Sequence, residues 1–199
     1  MAPASQAEAG TRDRIIEASS ELFSHQGYAG TGLKAILAAS HAPFGSLYHF
    51  FPGGKEQLGE EVIRWSGAMY LQLFVTIAGQ AGDPVAAVED FFSGAAQTLE
   101  DTGYEDACPI ATVALEVAST NEQLRKATAD VFESWIAGGM ALFTSAGIGE
   151  DRARELTLHM LCALEGGFLF SRALRTTEPM HVAGAAVAAR VSEVLSASE

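Results

Sequence analysis

Hydrophobic positions recur at intervals of three and four residues along almost the whole chain, the spacing that lays one apolar stripe along an α-helix. Thr11 to Gln26 sets Ile15, Ala18, Ser19, Leu22 and Phe23 on one stripe and stops at Gly27, which predicts a first helix. Thr31 is a candidate N-cap for a second over Leu33–Ala39, where Leu33, Ile36 and Leu37 share a face. Ser40-His41-Ala42-Pro43 interrupts it. A short third helix follows over Phe44–Phe50, since proline cannot continue a helix but suits its first turn.

After Pro52-Gly53-Gly54 the pattern lengthens: Leu58, Val62, Trp65, Met69, Leu73 and Ile77 predict one helix from about Lys55 to Gln80, ended by Gly82-Asp83-Pro84. Further helices are expected over Val85–Leu99, Pro109–Val117, Asn121–Ala146, Glu150–Leu174 and Glu178–Leu195. No run of β-branched and aromatic residues alternates with polar ones, and Asn-Gly and Asp-Gly hairpin signals are lacking. The chain therefore reads as all-α, with about nine helices and no repeat of fixed period. Its expected organisation is a flexible tail over 1–10, a first domain over 11–52 and a second over 53–199, with the helix from Lys55 bridging the two.

At 199 residues, with 48% hydrophobic and 19% charged positions, the chain can bury a sizeable core and is too apolar to be disordered. Its greasiest stretch, Leu156 to Phe170, is broken by His159, Glu165 and two glycines, short of the roughly 20 apolar residues a membrane span needs. Met1 to Gly10 has neither the basic patch nor the apolar core of a signal peptide. A cytoplasmic protein with no membrane partner is expected, and Cys108 and Cys162 are taken as reduced thiols. The net charge of −13 argues against indiscriminate coating of nucleic acid or anionic membrane. Its distribution is uneven: residues 1–60 hold 4 basic and 6 acidic side chains, residues 61–199 hold 8 and 19. If any segment faces phosphates, it is the first.

Residues 31–50 have the dimensions of a helix-turn-helix, in which the second short helix lies in the major groove. Within Pro43-Phe44-Gly45-Ser46-Leu47-Tyr48-His49-Phe50-Phe51, Leu47 and Phe50 or Phe51 can anchor inward while Gly45, Ser46, Tyr48 and His49 point out. Gly45 removes a side chain where backbone must approach DNA, and the polar tips of Ser46, Tyr48 and His49 suit bases or phosphates. Lys55 adds a cation at the start of the next helix.

From these residues, Thr31 to Leu58 (TGLKAILAASHAPFGSLYHFFPGGKEQL) resembles the DNA-binding segment of TetR/AcrR-type transcriptional regulators, and the likeness extends upstream through RDRIIEASSELFSHQGYAGTG. The Pro-Gly-Gly-Lys turn, together with Ala107-Cys108-Pro109-Ile110-Ala111 and Ala114-Leu115-Glu116, is similar to the LmrA/YxaF-like branch. The resemblance implies a homodimer that is not an enzyme and needs no cofactor or metal. Helices one to three would bind double-stranded operator DNA, helices four to seven enclose a small-molecule effector, and helices eight and nine form an intersubunit four-helix bundle. Most such proteins are repressors released by ligand. The DNA-facing roles fall on Thr31, Lys34, Gly45, Ser46, Tyr48, His49 and Lys55. One departure is Phe44, where these regulators commonly carry a basic residue; it either weakens phosphate attraction or meets a thymine methyl.

Helical spacing alone demands core residues among the aromatics and methionines of the second part, but ligand pockets in helical proteins are apolar clefts with sparse polar groups. Trp65, Met69, Phe92, Cys108, Thr112, Trp135 and His159 are candidates to line one, with Thr112, His159 and Glu116 orienting the ligand. The acidic excess after residue 61 favours neutral or cationic ligands over anionic ones. Leu158, Leu161, Glu165, Gly166, Phe168, Leu169 and Arg172, with Ala185, Ala189 and Ser192, form a candidate dimer face; intrachain packing is the competing assignment.

Metal chemistry has little support. His159 and Cys162 have no second pair to complete a site, and Glu155 and His159 are spaced by four where a di-iron bundle motif needs three. The alternative function is a helical ligand-binding bundle or enzyme without specific DNA binding, but no nucleotide loop or nucleophile–base arrangement supports it.

Overall fold

A computed structural model of the chain describes residues 6–197, which contain nine α-helices and no strand. They are α1 (Gln6–Gly30), α2 (Leu33–Ala39), α3 (Ser46–Phe50), α4 (Gly54–Gln80), α5 (Pro84–Asp101), α6 (Pro109–Val117), α7 (Glu122–Ser145), α8 (Glu150–Leu174) and α9 (Glu178–Ser196). The expected tail lies outside the described residues over 1–5, whereas Gln6–Gly10 already belongs to α1.

The helices form two compact units, and neither is a single stretch of the chain. One unit runs to Ala68 and takes in Pro109–Val131; the other comprises Met69–Cys108 and Phe132 onward. The reason is α6, which packs on α1 with Ile110, Val113 and Val117 buried.

In the first unit Ile15, Phe23, Ile36, Leu47, Phe51, Leu58 and Ile63 are buried to within 1% of full coverage, and each such side chain contributes about 1.5–3 kcal/mol through transfer from water. Gly27 bends α1 at φ 75°, ψ 172°, and a Cβ there would run into the carboxylate of Glu116. That bend exposes backbone groups to capture: Glu116 Oε2 accepts from the Ala29 N–H at 2.6 Å. Thr31 corrects an expectation. Gly32, extended at φ −88° and ψ 148°, holds the N-cap position of α2, so the Thr31 hydroxyl reaches back and donates to Gly27 O at 2.7 Å.

In the second unit α9 packs on both α5 and α8 around Phe92, Leu99, Phe143, Met160, Met180, Val187 and Val191. Close approach is permitted by missing side chains. A Cβ at Gly184 would lie 2.7 Å from Phe92 Cβ, and one at Gly167 would lie 2.9 Å from Met180 Sδ. Asp83 starts α5 by accepting from Val85 N and Ala86 N at 2.8 and 2.9 Å, satisfying two amides that lack helical partners. Among the described residues no helix is long and apolar enough to cross a membrane.

Candidate functional site

The turn between α2 and α3 is pinned from within the first unit. His41 adopts φ 50°, Ala42 N–H donates to Leu37 O at 3.1 Å, and Arg14 Nε donates to Ser40 O at 3.1 Å. Leu47 and Phe51 then anchor α3 in the core, with the Arg12 guanidinium 5.6 Å from the Phe51 ring centre. What remains outside is Phe44, 72% exposed, Tyr48, 59% exposed, and the exposed Gly45 and His49, with Ser46 half-buried. Tyr48 on the five-residue α3 and Phe44 in the turn before it are large aromatics left mostly in water. Nothing lies within 4 Å of a Cβ built on Gly45, so its missing side chain answers no internal crowding.

Lys34 is exposed on α2 and is the single Lys or Arg between residues 31 and 50. Lys55 is different: its Nζ donates to Tyr28 O at 2.6 Å and stands 4.4 Å from the Tyr28 ring centre. Burial lowers the Lys55 pKa, with the Glu116 charge acting in the opposite direction. The expected phosphate cation is thus already engaged in closing the end of α1. Thr31, fully buried, has no side chain to offer DNA in this conformation.

The second unit encloses a cavity of about 270 Å³. α4 contributes Tyr70, Leu71 and Phe74, α5 contributes Phe91 and Thr98, and α7 contributes Trp135. Met160, Leu164, Glu165 and Phe168 come from α8, and Asp106 and Cys108 from the loop before α6. The rings meet edge to face, Phe74 with Phe91 at 5.2 Å and Tyr70 with Trp135 at 6.4 Å between centres. Glu165 is the chemical anomaly in this apolar wall. Its Oε1 is buried without a hydrogen-bond partner, and burial pushes its pKa up to about 7 against the pull of a hydrogen bond with Cys108. Burial, then the neighbouring Cys108, Asp106 and Glu165, push Tyr70 up to about 12. Among the described residues no cluster of three or more His, Cys, Asp or Glu could hold a metal.

Comparison with known proteins agrees in fold and sequence. The DNA-binding domain of bacterial regulatory proteins of the tetR family matches residues 15–62, and the C-terminal domain of LmrA/YxaF-like transcriptional regulators matches 84–186. The HTH-type transcriptional regulator YxaF of Bacillus subtilis is 34% identical over 170 residues, which is 85% of this chain and 89% of that protein. The chain belongs to the TetR family of transcriptional regulators. LmrA of the same organism is 31% identical over 170 residues, 85% of this chain and 90% of that protein. A crystal structure of the regulatory protein TetR from Rhodobacter sphaeroides, 22% identical, superposes with a TM-score of 0.80 over 88% of this chain and 96% of that one, a likeness of fold. The relatives are regulators, not enzymes.

Within this TetR-family chain the expected pocket residues scatter. Cys108 and Trp135 line the cavity. Phe92 is core, packed beside Gly184, and Trp65, Met69 and His159 are partly or largely exposed outside the lining. Thr112 and Glu116 belong to α6 in the first unit, where Glu116 serves the bend of α1.

The expected dimer residues divide in a similar way. Leu158, Leu169, Ala185, Ala189 and Ser192 are exposed, and a Cβ at Gly166 would meet nothing within 4 Å. By contrast, Leu161, Glu165 and Phe168 face the cavity. Arg172 donates to Tyr104 O and Glu105 O at 3.3 and 2.9 Å, bracing the loop that leads to Asp106. Sequence reasoning overlooked Tyr70, Phe74, Phe91 and Leu164 as lining because each fits the core stripe of its helix equally well. It also missed Phe170, Leu174 and Val182, exposed beside the Leu158–Leu169 stripe.

Proposed function

We propose that this regulator is a ligand-released repressor that binds a near-palindromic operator as a homodimer in the cytoplasm. The observation that carries the DNA assignment is the surface of α3 and the turn that enters it, where Phe44 and Gly45 before the helix and Tyr48 and His49 on it stand outward while Leu47 and Phe51 hold the helix in the core. Phe44 offers apolar contact to a thymine methyl in place of a phosphate cation, and Tyr48 and His49 offer polar tips for phosphate or base edges. Lys34, exposed on α2, supplies a cation for the phosphates.

Dimerisation is supported by the apolar strip of Leu158, Leu169, Phe170, Leu174 and Val182 on α8 and α9, exposed by 40 to 67%. Two copies joined there would present two α3 helices about one DNA turn, roughly 34–36 Å, apart. The cavity is the effector site in this reading. Chain continuity supplies routes from it to the DNA-binding unit: α4 and α7 each contribute to both units, and the loop ending in Cys108 runs directly into α6. A ligand that favours a conformer unsuited to the operator need supply a coupling of only about 1–3 kcal/mol to lower affinity about 5- to 150-fold.

Gel-shift titration against DNA flanking the chain's own gene tests the reading. The natural chain is expected to give a discrete complex, and Tyr48→Ala to lose it without loss of thermal stability. Absence of any sequence preference would instead favour a ligand-binding bundle that has lost DNA recognition.

A further inference from the structure

The cavity of the second unit carries a charge pattern that its apolar character conceals. Among the described residues that line it there are two carboxylates, Asp106 and Glu165, and no lysine, arginine or histidine. Glu165 Oε1 is buried and lacks a hydrogen-bond partner. A buried acceptor left in this state costs free energy that a donor brought by a ligand recovers, most strongly when donor and acceptor are both charged. The same cavity is lined by the rings of Tyr70, Phe74, Phe91, Trp135 and Phe168, whose negative faces attract a cation and whose bodies accept apolar groups.

We propose that the effector is a lipophilic amine in its ammonium form, with the ammonium bound to Glu165 beside the Tyr70 and Trp135 rings and the apolar body lodged among Phe74, Phe91 and Leu164. This deepens, and rests on, the assignment of the cavity as the effector site. An anionic ligand would meet two carboxylates in a lining without lysine, arginine or histidine. A neutral ligand would fill the space without compensating an ionised Glu165. At about 270 Å³, near the lower end of ligand pockets, the cavity suits one aromatic ring and a short amine-bearing chain.

The titratable groups facing Glu165 are Tyr70 on α4 and Asp106 and Cys108 in the preceding loop; α5 and α7 add none to the lining. Because burial raises Glu165 to about 7, its carboxylate is half formed near neutrality and about nine-tenths formed a unit above it. Amine affinity therefore rises with pH through that range, while the affinity of a neutral analogue stays level.

Isothermal titration of the full chain with phenylbutylamine, phenylbutanol and phenylbutyrate separates the ligand charges on one scaffold. Near pH 8 the amine is expected to bind about tenfold tighter than the alcohol and the butyrate weakest, with the amine preference shrinking about tenfold by pH 6. Glu165→Gln keeps the alcohol affinity and loses the preference. Equal affinity for amine and alcohol, no binding of the amine, or a preference that survives Glu165→Gln overturns the proposal. If that variant fails to fold, the pH series on the natural chain is sufficient: an amine preference that does not shrink toward pH 6 overturns the proposal. Operator release, followed in parallel, distinguishes the two readings. An amine preference without release upholds the charge assignment and removes the effector role, whereas release by the alcohol with no amine preference does the reverse.

Discussion

Gly45 has φ −73° and open space where a Cβ would stand, so alanine fits its backbone without strain. In the free chain Gly45→Ala is expected to leave stability unchanged or raise it by about 0.4–1 kcal/mol through the unfolded state. On DNA the added methyl obstructs the approach of α3, and operator affinity should fall at least about tenfold. Thermal melting and gel shift measured on the same preparation check the pair; a parallel loss of both would assign Gly45 to folding. Lys34 makes a separate prediction. As an exposed cation on α2 it is expected to contribute about one unit to the slope of log affinity against log salt, absent in Lys34→Ala, with a uniform loss across operator sequences. Thr31 belongs to stability instead. Thr31→Val strands the Gly27 carbonyl that its hydroxyl serves, at an expected cost of about 1–3 kcal/mol by chemical denaturation. The residue type is legible in the sequence, but the direction of its hydrogen bond is not, because Gly32 rather than Thr31 takes the extended cap geometry.

At the scale of elements, α8 lines the cavity with one side and leaves the other outside. Met160, Leu164, Glu165 and Phe168 line the cavity, while Leu158, Gly166, Leu169 and Phe170 leave an apolar strip outside. Glu165 gives this helix a pH signature. Its folded pKa is raised above the unfolded value of about 4.5, so the stability it contributes is present below that value and lost as pH rises through about 7. Glu165→Gln is therefore expected to be more stable than the natural chain at pH 8, by about 3 kcal/mol, with the gap closing toward pH 4.5. Melting curves of the two proteins across that range decide it; a gap independent of pH would refute the role of burial. The helices themselves are legible because three-and-four periodicity and Gly, Pro and Asp punctuation act locally. Glu165 shows the limit of such reading. Periodicity places it on a helix beside two glycines, yet which way it faces depends on α9 filling the Gly167 notch with Met180. That packing turns Glu165 to the cavity and leaves Gly166 open, and no local pattern encodes it.

For the molecule as a whole, two surfaces among the described residues leave large apolar side chains outside: the stretch of α8 and α9 with Leu158, Leu169, Phe170, Leu174 and Val182, and α3 with the turn before it. The first predicts self-association. Sedimentation of the natural chain should report a dimer, and Leu169→Glu combined with Phe170→Glu should give a folded monomer that binds operator DNA at least about tenfold more weakly, since each half-site then binds alone. The second surface is the one proposed to meet DNA. Hydroxyl-radical footprinting of DNA flanking the chain's own gene, with the natural chain and with Tyr48→Ala, addresses that surface most directly. The expected result is a symmetric protected site that disappears in Tyr48→Ala at unchanged melting temperature. An identical footprint from both proteins, or none from the natural chain at any concentration, would contradict the assignment of α3 to the groove.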